Sequence, residues 1–164
     1  LEAAIGVREL PTTEVTDTHL LAFNLPEIRA VGVPGAGAVM RAADLALFYQ
    51  RLLHDPDGIW PPDVRNDATG NVRNSFGDAL FSMPANRTLG LVQAGADGLG
   101  FLRGFGYSAS PRAFGHNGAG GQVAWADPAT GLSFAYVTNG LDANVIRQFR
   151  RGMSLSTKAG ECCD

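Results

Sequence analysis

The chain of 164 residues is 45% hydrophobic and 18% charged, which suits one globular domain with a core of its own. Its net charge of −3 makes nucleic acid a poor partner, because phosphate binding depends on clustered Lys and Arg. No apolar run reaches the roughly 20 residues that cross a bilayer. Gly accounts for 21 residues, about twice its usual share, which favours tight turns and close backbone contacts over a helical bundle.

The first long element predicted along the chain is a helix over residues 40–54. Three prolines interrupt residues 1–38, where we expect no long element. Met40 stands where a capping Ser or Thr is preferred, so this helix should begin without a side-chain cap, and the sequence DPDG should end it. The apolar side chains of the helix recur at the spacing of one buried face: Leu45, Phe48, Tyr49, Leu52 and Leu53.

Residues 58–98 carry several Pro, Asn and Gly residues and show no sustained periodicity. We expect mostly loop here, with short helical pieces, and long loops often form a binding face. Residues 1–98 are therefore predicted to be mostly helical and loop, and residues 99–164 to hold antiparallel strands followed by a helix.

The C-terminal part is predicted to contain a run of strands. They are expected at LGFLRGFGY (99–107), RAFGH (112–116), QVAWAD (122–127) and LSFAYVT (132–138). The sequence DPATG predicts a hairpin with a loop of roughly three to five residues between the last two strands.

The sequence LDANVIRQFRRGM (141–153) predicts a helix with Asp142 as its N-cap. Its buried stripe is expected to consist of Val145, Ile146, Phe149 and Met153. The three arginines of the run point outward, where they suit the negative end of the helix dipole: Arg147, Arg150 and Arg151. The fold class is therefore α+β, an antiparallel sheet with a C-terminal helix packed on it.

Several kinds of site fit the sequence poorly. The Gly35-x-Gly37 pair begins a dinucleotide-binding fingerprint, but Met40 takes the place of its third small residue. The three histidines share no spacing typical of metal ligands, and the adjacent pair Cys162 and Cys163 suits neither a metal site nor a disulfide framework. No cofactor and no metal are expected.

Residues 114–140, FGHNGAGGQVAWADPATGLSFAYVTNG, carry a family resemblance. They resemble the C-terminal signature of serine β-lactamase and penicillin-binding-protein-like hydrolases, in the class C-like esterase branch, where His-x-Gly replaces Lys-Thr-Gly. The helix over residues 39–58 is similar too, so the resemblance spans about residues 32–153. It implies a β-lactamase/transpeptidase-like fold and ester hydrolysis through an acyl-serine intermediate.

The resemblance also implies catalytic roles around the triplet His116-Asn117-Gly118. His116 would take the place of the triplet Lys, where it would help hold the hydroxyl network around the nucleophile or contact a substrate oxygen. The backbone N–H of Ala119, directly after Gly118, would donate to the oxyanion of the reacting carbonyl. An alternative remains open, in which His116 is only a polar residue at the end of a strand.

Substrate contacts are assigned to the small and polar neighbours of that amide. The amide of Asn117 would point either toward the cleft or away from it, and the glycines Gly118, Gly120 and Gly121 would leave room for a substrate against the backbone. The glycines can also be explained by a bulge and a turn alone. Trp125 and Phe134 are expected to be core residues of the hairpin.

The family's nucleophile motif Ser-x-x-Lys and its Tyr-x-Asn motif do not occur in these 164 residues. We therefore expect the chain to be the C-terminal part of a larger hydrolase, inactive alone and prone to self-association through an open sheet edge and an uncovered apolar face. The expected substrate is a small carboxylic ester, because replacing the cationic Lys by His makes β-lactams less suitable. The alternatives are a non-catalytic ligand- or peptide-binding member of the fold and a nucleotide-cofactor domain; the sequence fixes no cellular compartment.

Overall fold

The computed structural model describes residues 16–78, 81–142 and 144–163. The helices and strands in chain order are α1 (Asp17–Ala22), α2 (Pro26–Val31), α3 (Ala42–His54), α4 (Pro62–Gly70), β1 (Val92–Gln93), β2 (Phe114–Asn117), β3 (Val123–Asp127), β4 (Leu132–Tyr136) and α5 (Val145–Gly160), followed by a 3₁₀ turn (Glu161–Cys163).

The strands form one antiparallel sheet in the order β1-β2-β3-β4. The hairpin predicted between the last two strands is confirmed, since Gly131 N–H donates to the Asp127 carbonyl at 2.9 Å. The buried Asp127 carboxylate also accepts from the Ser110 hydroxyl at 2.6 Å and from the Ala129 N–H at 2.9 Å. The hairpin is thus fixed at its turn by both backbone and side chain.

Helices cover both faces of the sheet, which explains why every residue of β3 is buried. On one face the small side chains of Ala124 and Ala126 let α3 approach, and Tyr49 and Leu52 of that helix pack against them. The alternate residues of β3 point to the opposite core, where Trp125 is 1% exposed. The alternation of small and large residues along β3 therefore assigns one helix to each face.

Helix α5 is anchored to the sheet through one buried hydroxyl group. Ser156 is fully buried; its Oγ accepts from Trp125 Nε1–H at 3.1 Å and donates to the Gly104 carbonyl at 2.7 Å. The prediction that Trp125 and Phe134 are core residues is confirmed, because their ring centroids lie 5.6 Å apart within this core.

The strand predicted over residues 99–107 is wrong. These residues form consecutive turns, with Leu102 N–H donating to Leu99 and Arg103 N–H donating to Gly100. Gly106 has φ +68°, and a Cβ there would lie 2.4 Å from the backbone N of Thr157 in α5. The segment is therefore shaped by its contact with α5, and the sheet instead begins with β1.

The predicted ends and faces of two helices also need correction. The N-cap of α5 is Asn144 rather than Asp142, because the Asn144 side chain accepts from Arg147 N–H at 2.9 Å. Val145 and Ile146 are 49% and 40% exposed, so the predicted buried stripe fails at the start of α5. In α3, Phe48 is 50% exposed, so it does not belong to the buried face. The predicted absence of a side-chain cap on α3 is confirmed, with Arg41 at the N-cap position.

Two further differences concern the outward arginines and the dinucleotide alternative. Arg151 is partly buried rather than outward-pointing and contacts Asp142 at 3.3 Å. The residues before Gly35-x-Gly37 form helix α2 where the dinucleotide motif requires a strand, so that interpretation is wrong.

The domain division at residues 98 and 99 stays a prediction, and its first fifteen residues lie outside those described. Within the described ranges, none of the helices has the length and apolar character needed to cross a membrane.

Candidate active site

The candidate site lies where β2 ends and the chain turns into β3. His116 and Asn117 are the last two residues of β2, paired in register with Ala124 and Val123 of β3. The predicted site residues are therefore contiguous, with residues 118–121 forming the turn that follows. His116, Asn117 and Gly118 line a cleft of about 1140 Å³ that is walled mainly by apolar side chains from α3 and the loops beside it.

Both ring nitrogens of His116 have partners. Nε2 lies 3.0 Å from Nη1 of Arg87, and Nδ1 contacts the carbonyl oxygen of Asn117. A guanidinium can only donate and a carbonyl can only accept. These contacts are satisfied by a neutral imidazole that carries its proton on Nδ1, a tautomer assigned here from the hydrogen-bond partners.

The two peptide groups before Ala119 are held by hydrogen bonds. In the peptide group between Asn117 and Gly118, the Asn117 carbonyl accepts from His116, and the Gly118 N–H donates to the Gln122 carbonyl at 2.7 Å. In the peptide group between Gly118 and Ala119, the Gly118 carbonyl accepts from the Gly121 N–H at 3.2 Å. Because C=O and N–H point in opposite directions across a trans peptide, the Ala119 N–H points away from the Gly121 turn.

The Ala119 N–H donates to no partner within the described ranges, 16–78, 81–142 and 144–163. Ala119 is exposed and lines a cavity of about 510 Å³, whose walls include Phe23 after α1, Gly37 and Leu141. A backbone donor without a partner at the rim of a cavity can donate a hydrogen bond to a ligand oxygen.

Gly120 and Gly121 have positive φ angles of 84° and 95° and pack closely against their neighbours. A Cβ on Gly120 would lie 2.7 Å from Leu141 Cδ2, and one on Gly121 would lie 2.8 Å from Gln148 Cγ in α5. Backbone conformation and packing are sufficient to explain why these two positions hold glycine. Their contact with a substrate stays a prediction, as do the roles of His116 and the other site residues.

Tyr49 brings a second polar group to the large cleft. Its side chain is 5% exposed and packs against Phe114 with ring centroids 6.4 Å apart. Burial raises the pKa of Tyr49 to about 12. The phenol therefore stays protonated at neutral pH and can donate a hydrogen bond, but it is not a base there.

Sequence reasoning missed Arg87. It lies 29 residues before His116, in a segment predicted as loop, and no motif connects the two. Only the fold brings them together: isolated bridges pair Arg87 with Asn74 on one side and with Val92 on the other, and Val92 pairs with Gly115 of β2.

Among the residues that the structure describes, no group of three His, Cys, Asp or Glu side chains could hold a metal ion. The polar groups around His116 are a guanidinium, an amide and backbone N–H groups. Such an arrangement can bind and polarise a carbonyl or an anion.

A family model and several solved structures are similar to this chain. A family model described as Beta-lactamase matches residues 2–155. A β-lactamase from Mycobacterium bovis aligns at 24% identity and a TM-score of 0.56, over 71% of this chain and 42% of that one. EstA from Arthrobacter nitroguajacolicus aligns at 22% identity and a TM-score of 0.58, over 88% and 39%.

A penicillin-binding protein homologue from Caulobacter crescentus aligns at 23% identity and a TM-score of 0.52, over 89% of this chain and 41% of that one. No curated protein matches the chain. These structures confirm the expected β-lactamase/transpeptidase-like fold, and the chain spans about two fifths of the length of each of the three.

Proposed function

The chain belongs to the Beta-lactamase family, and from this premise we propose that it is part of a serine hydrolase that cleaves small carboxylic esters through an acyl-serine intermediate. The nucleophile is proposed to come from residues other than these 164, in which no Ser-x-x-Lys occurs. The chain contributes one wall of the active site, formed by the end of β2 and the turn after it.

The observation that carries the proposal is the N–H of Ala119, which lies beside a cavity and has no hydrogen-bond partner among the residues that the structure describes. A carbonyl attacked by a serine develops negative charge on its oxygen, and a fixed N–H that already points outward stabilises this charge without reorganisation. The bond from the Gly121 N–H to the Gly118 carbonyl keeps the amide in that direction.

His116 supports this amide and is not the general base. Its Nδ1–H is engaged by the Asn117 carbonyl and its Nε2 lone pair by Arg87, so no free lone pair remains to take a proton from a serine. The proton transfers of acylation and deacylation are therefore assigned to groups supplied with the nucleophile.

The test is hydrolysis of p-nitrophenyl butyrate by the complete protein that contains this chain. Ala119→Pro removes the N–H and should lower kcat by about 10²–10³-fold, the usual effect of losing one oxyanion donor. Ala119→Gly keeps the N–H and is the matched control, which should retain activity. Equal kcat values for the two variants contradict the role of the amide.

The same assay separates the enzyme from a non-catalytic binding protein. A complete protein that binds the ester without releasing p-nitrophenol contradicts the hydrolase proposal and favours the ligand- or peptide-binding alternative. We expect the complete protein to be active and this chain alone to be inactive, because an acyl-enzyme requires the activated serine.

A second candidate function is β-lactam hydrolysis, favoured by one observation. The Arg87 guanidinium lies 3.0 Å from His116 and returns a positive charge to a site that lacks the triplet Lys. A cation there suits a substrate with a carboxylate. A chromogenic cephalosporin assayed beside the ester decides between them, since faster turnover of the cephalosporin identifies a β-lactamase.

A further inference from the structure

Arg87 is held in place by its backbone. Its N–H donates to the Asn74 carbonyl at 2.9 Å, and its own carbonyl accepts from the N–H groups of Arg73 at 2.8 Å and Asn74 at 3.1 Å. The bridge from Arg87 to Val92 and the pairing of Val92 with Gly115 then connect it to β2. The guanidinium therefore reaches His116 from a backbone that is tied to the same sheet.

The contact with Arg87 determines which nitrogen of His116 can carry a proton. If Nε2 were protonated, two donors would face each other at 3.0 Å. A free imidazole prefers the proton on Nε2, so the opposite tautomer must be imposed by the surroundings. The Asn117 carbonyl stabilises a proton on Nδ1 by accepting its hydrogen bond, and the Arg87 donor disfavours a proton on Nε2.

The Nδ1–H of His116 in turn holds the peptide group between Asn117 and Gly118. That peptide is bonded at its carbonyl by His116 and at its N–H by Gln122. It directly precedes the peptide whose N–H belongs to Ala119, so a rotation of the first plane redirects the second.

We propose that Arg87 is a positioning residue, which acts through His116 by holding the imidazole as its Nδ1–H tautomer and so fixes the peptide before the Ala119 amide. The inference deepens the proposed function, because it concerns the same amide. The tautomer itself is a property of this chain and can be measured without any reaction.

The experiment is nitrogen-15 NMR of the histidine side chains in the 164-residue chain, at an alkaline pH at which the imidazoles are neutral. His54 supplies an internal reference of the opposite form: its Nε2 lies 3.2 Å from the Gly131 carbonyl, which only accepts, so its proton is on Nε2. The spectrum should therefore show His116 as Nδ1–H and His54 as Nε2–H.

Arg87→Ala should move the tautomer ratio of His116 toward Nε2–H by roughly tenfold or more, the factor expected from losing one hydrogen bond to a charged group. Arg87→Lys keeps a cationic donor and should preserve the Nδ1–H form. Arg112→Ala removes an exposed arginine whose side chain bonds to none of the described residues, and it should change neither histidine.

An Nε2–H form of His116 in the unsubstituted chain overturns the proposal, as does a ratio that is the same in Arg87→Ala and Arg112→Ala. Should Arg87→Ala fail to fold, Arg87→Lys decides: Nδ1–H in that variant supports the proposal and Nε2–H overturns it. A complete protein without esterase activity leaves these outcomes unchanged, so the two proposals fail separately.

In an active complete protein, Arg87→Ala should lower kcat and leave KM for the neutral ester unchanged, because the residue acts on a donor used in the transition state. A raised KM with unchanged kcat would show that Arg87 binds substrate directly, and it would overturn the positioning role.

Discussion

Arg103 is a buried charged residue that stabilises the fold through several hydrogen bonds. Its side chain is 2% exposed, and its guanidinium donates to the Pro84 and Ala94 carbonyls and to both carboxylate oxygens of Asp97. These bonds hold three loop segments together. No sequence motif indicates this role, because the surrounding residues look like a strand.

Arg103→Ala should lower the free energy of unfolding by about 3 kcal/mol or more, since it leaves the buried Ala94 carbonyl and the Pro84 carbonyl without this donor and Asp97 without its cation. Arg112→Ala, at an exposed position, is the matched control and should change stability by less than about 0.5 kcal/mol. Urea unfolding of both variants measures the difference. Similar losses in the two variants contradict the assignment.

The pair also predicts how stability responds to acid. Hydrogen bonds from Arg103 lower the pKa of Asp97 to about 2. A carboxyl whose pKa is depressed on folding contributes stability above its ordinary pKa of about 3.9 and loses it as the pH falls through the folded value. The stability gap between the unsubstituted chain and Asp97→Asn should therefore shrink from about pH 4 toward pH 2, and a gap that stays constant contradicts this.

At the scale of elements, α5 depends on the hydroxyl of Ser156. Ser156→Ala leaves the Trp125 N–H and the Gly104 carbonyl without partners in a fully buried place. Each unsatisfied group costs about 1–3 kcal/mol, so a loss of at least about 2 kcal/mol is expected. Ser154→Ala, on the exposed side of the same helix, should have little effect; thermal unfolding followed by circular dichroism compares the two.

Elements with local signals could be predicted from the sequence. Strands β3 and β4 follow from alternation and from the DPATG turn, and α3 follows from its apolar stripe. The sequence of residues 99–107 favours a strand, because Phe101, Phe105 and Tyr107 alternate with other residues. Their conformation is set by α5, which lies about fifty residues later, and tertiary contacts of this kind override local propensity.

The start of α5 shows the same limitation. Val145 and Ile146 have the spacing of a buried face, yet they line an apolar groove together with Phe149 and Met153. Periodicity identifies which residues share a face of a helix, but it does not show whether another element covers that face.

For the molecule as a whole, strand β4 pairs with β3, and no other strand within residues 16–78, 81–142 and 144–163 pairs with its far edge. Large apolar side chains are also exposed, including Phe76 at 82% and Val39 at 74%. An open edge and exposed apolar surface favour association between copies. Sedimentation of the chain should give an average mass that rises with concentration, and a constant monomer mass contradicts this prediction.

The positions of the candidate site residues could be predicted in part, while their roles stay predictions. His116, Gly118 and Ala119 follow from one contiguous motif, and the structure places them together because they are neighbours in sequence. Arg87 could not be found in this way, because its position beside His116 results from two successive backbone bridges between separate segments. Residues that the fold alone brings together leave no pattern in a single sequence.

Those bridges have a thermal consequence. Isolated bridges connect Asn74 to Arg87 and Arg87 to Val92, and the short strand β1 connects Val92 to Gly115 of β2, whereas the rest of the sheet lies under two helices. The outer bridges can open locally while the core stays folded. On warming, the imidazole would be released from its guanidinium before the sheet melts, so the temperature at which the site fails should lie below the one at which the protein unfolds.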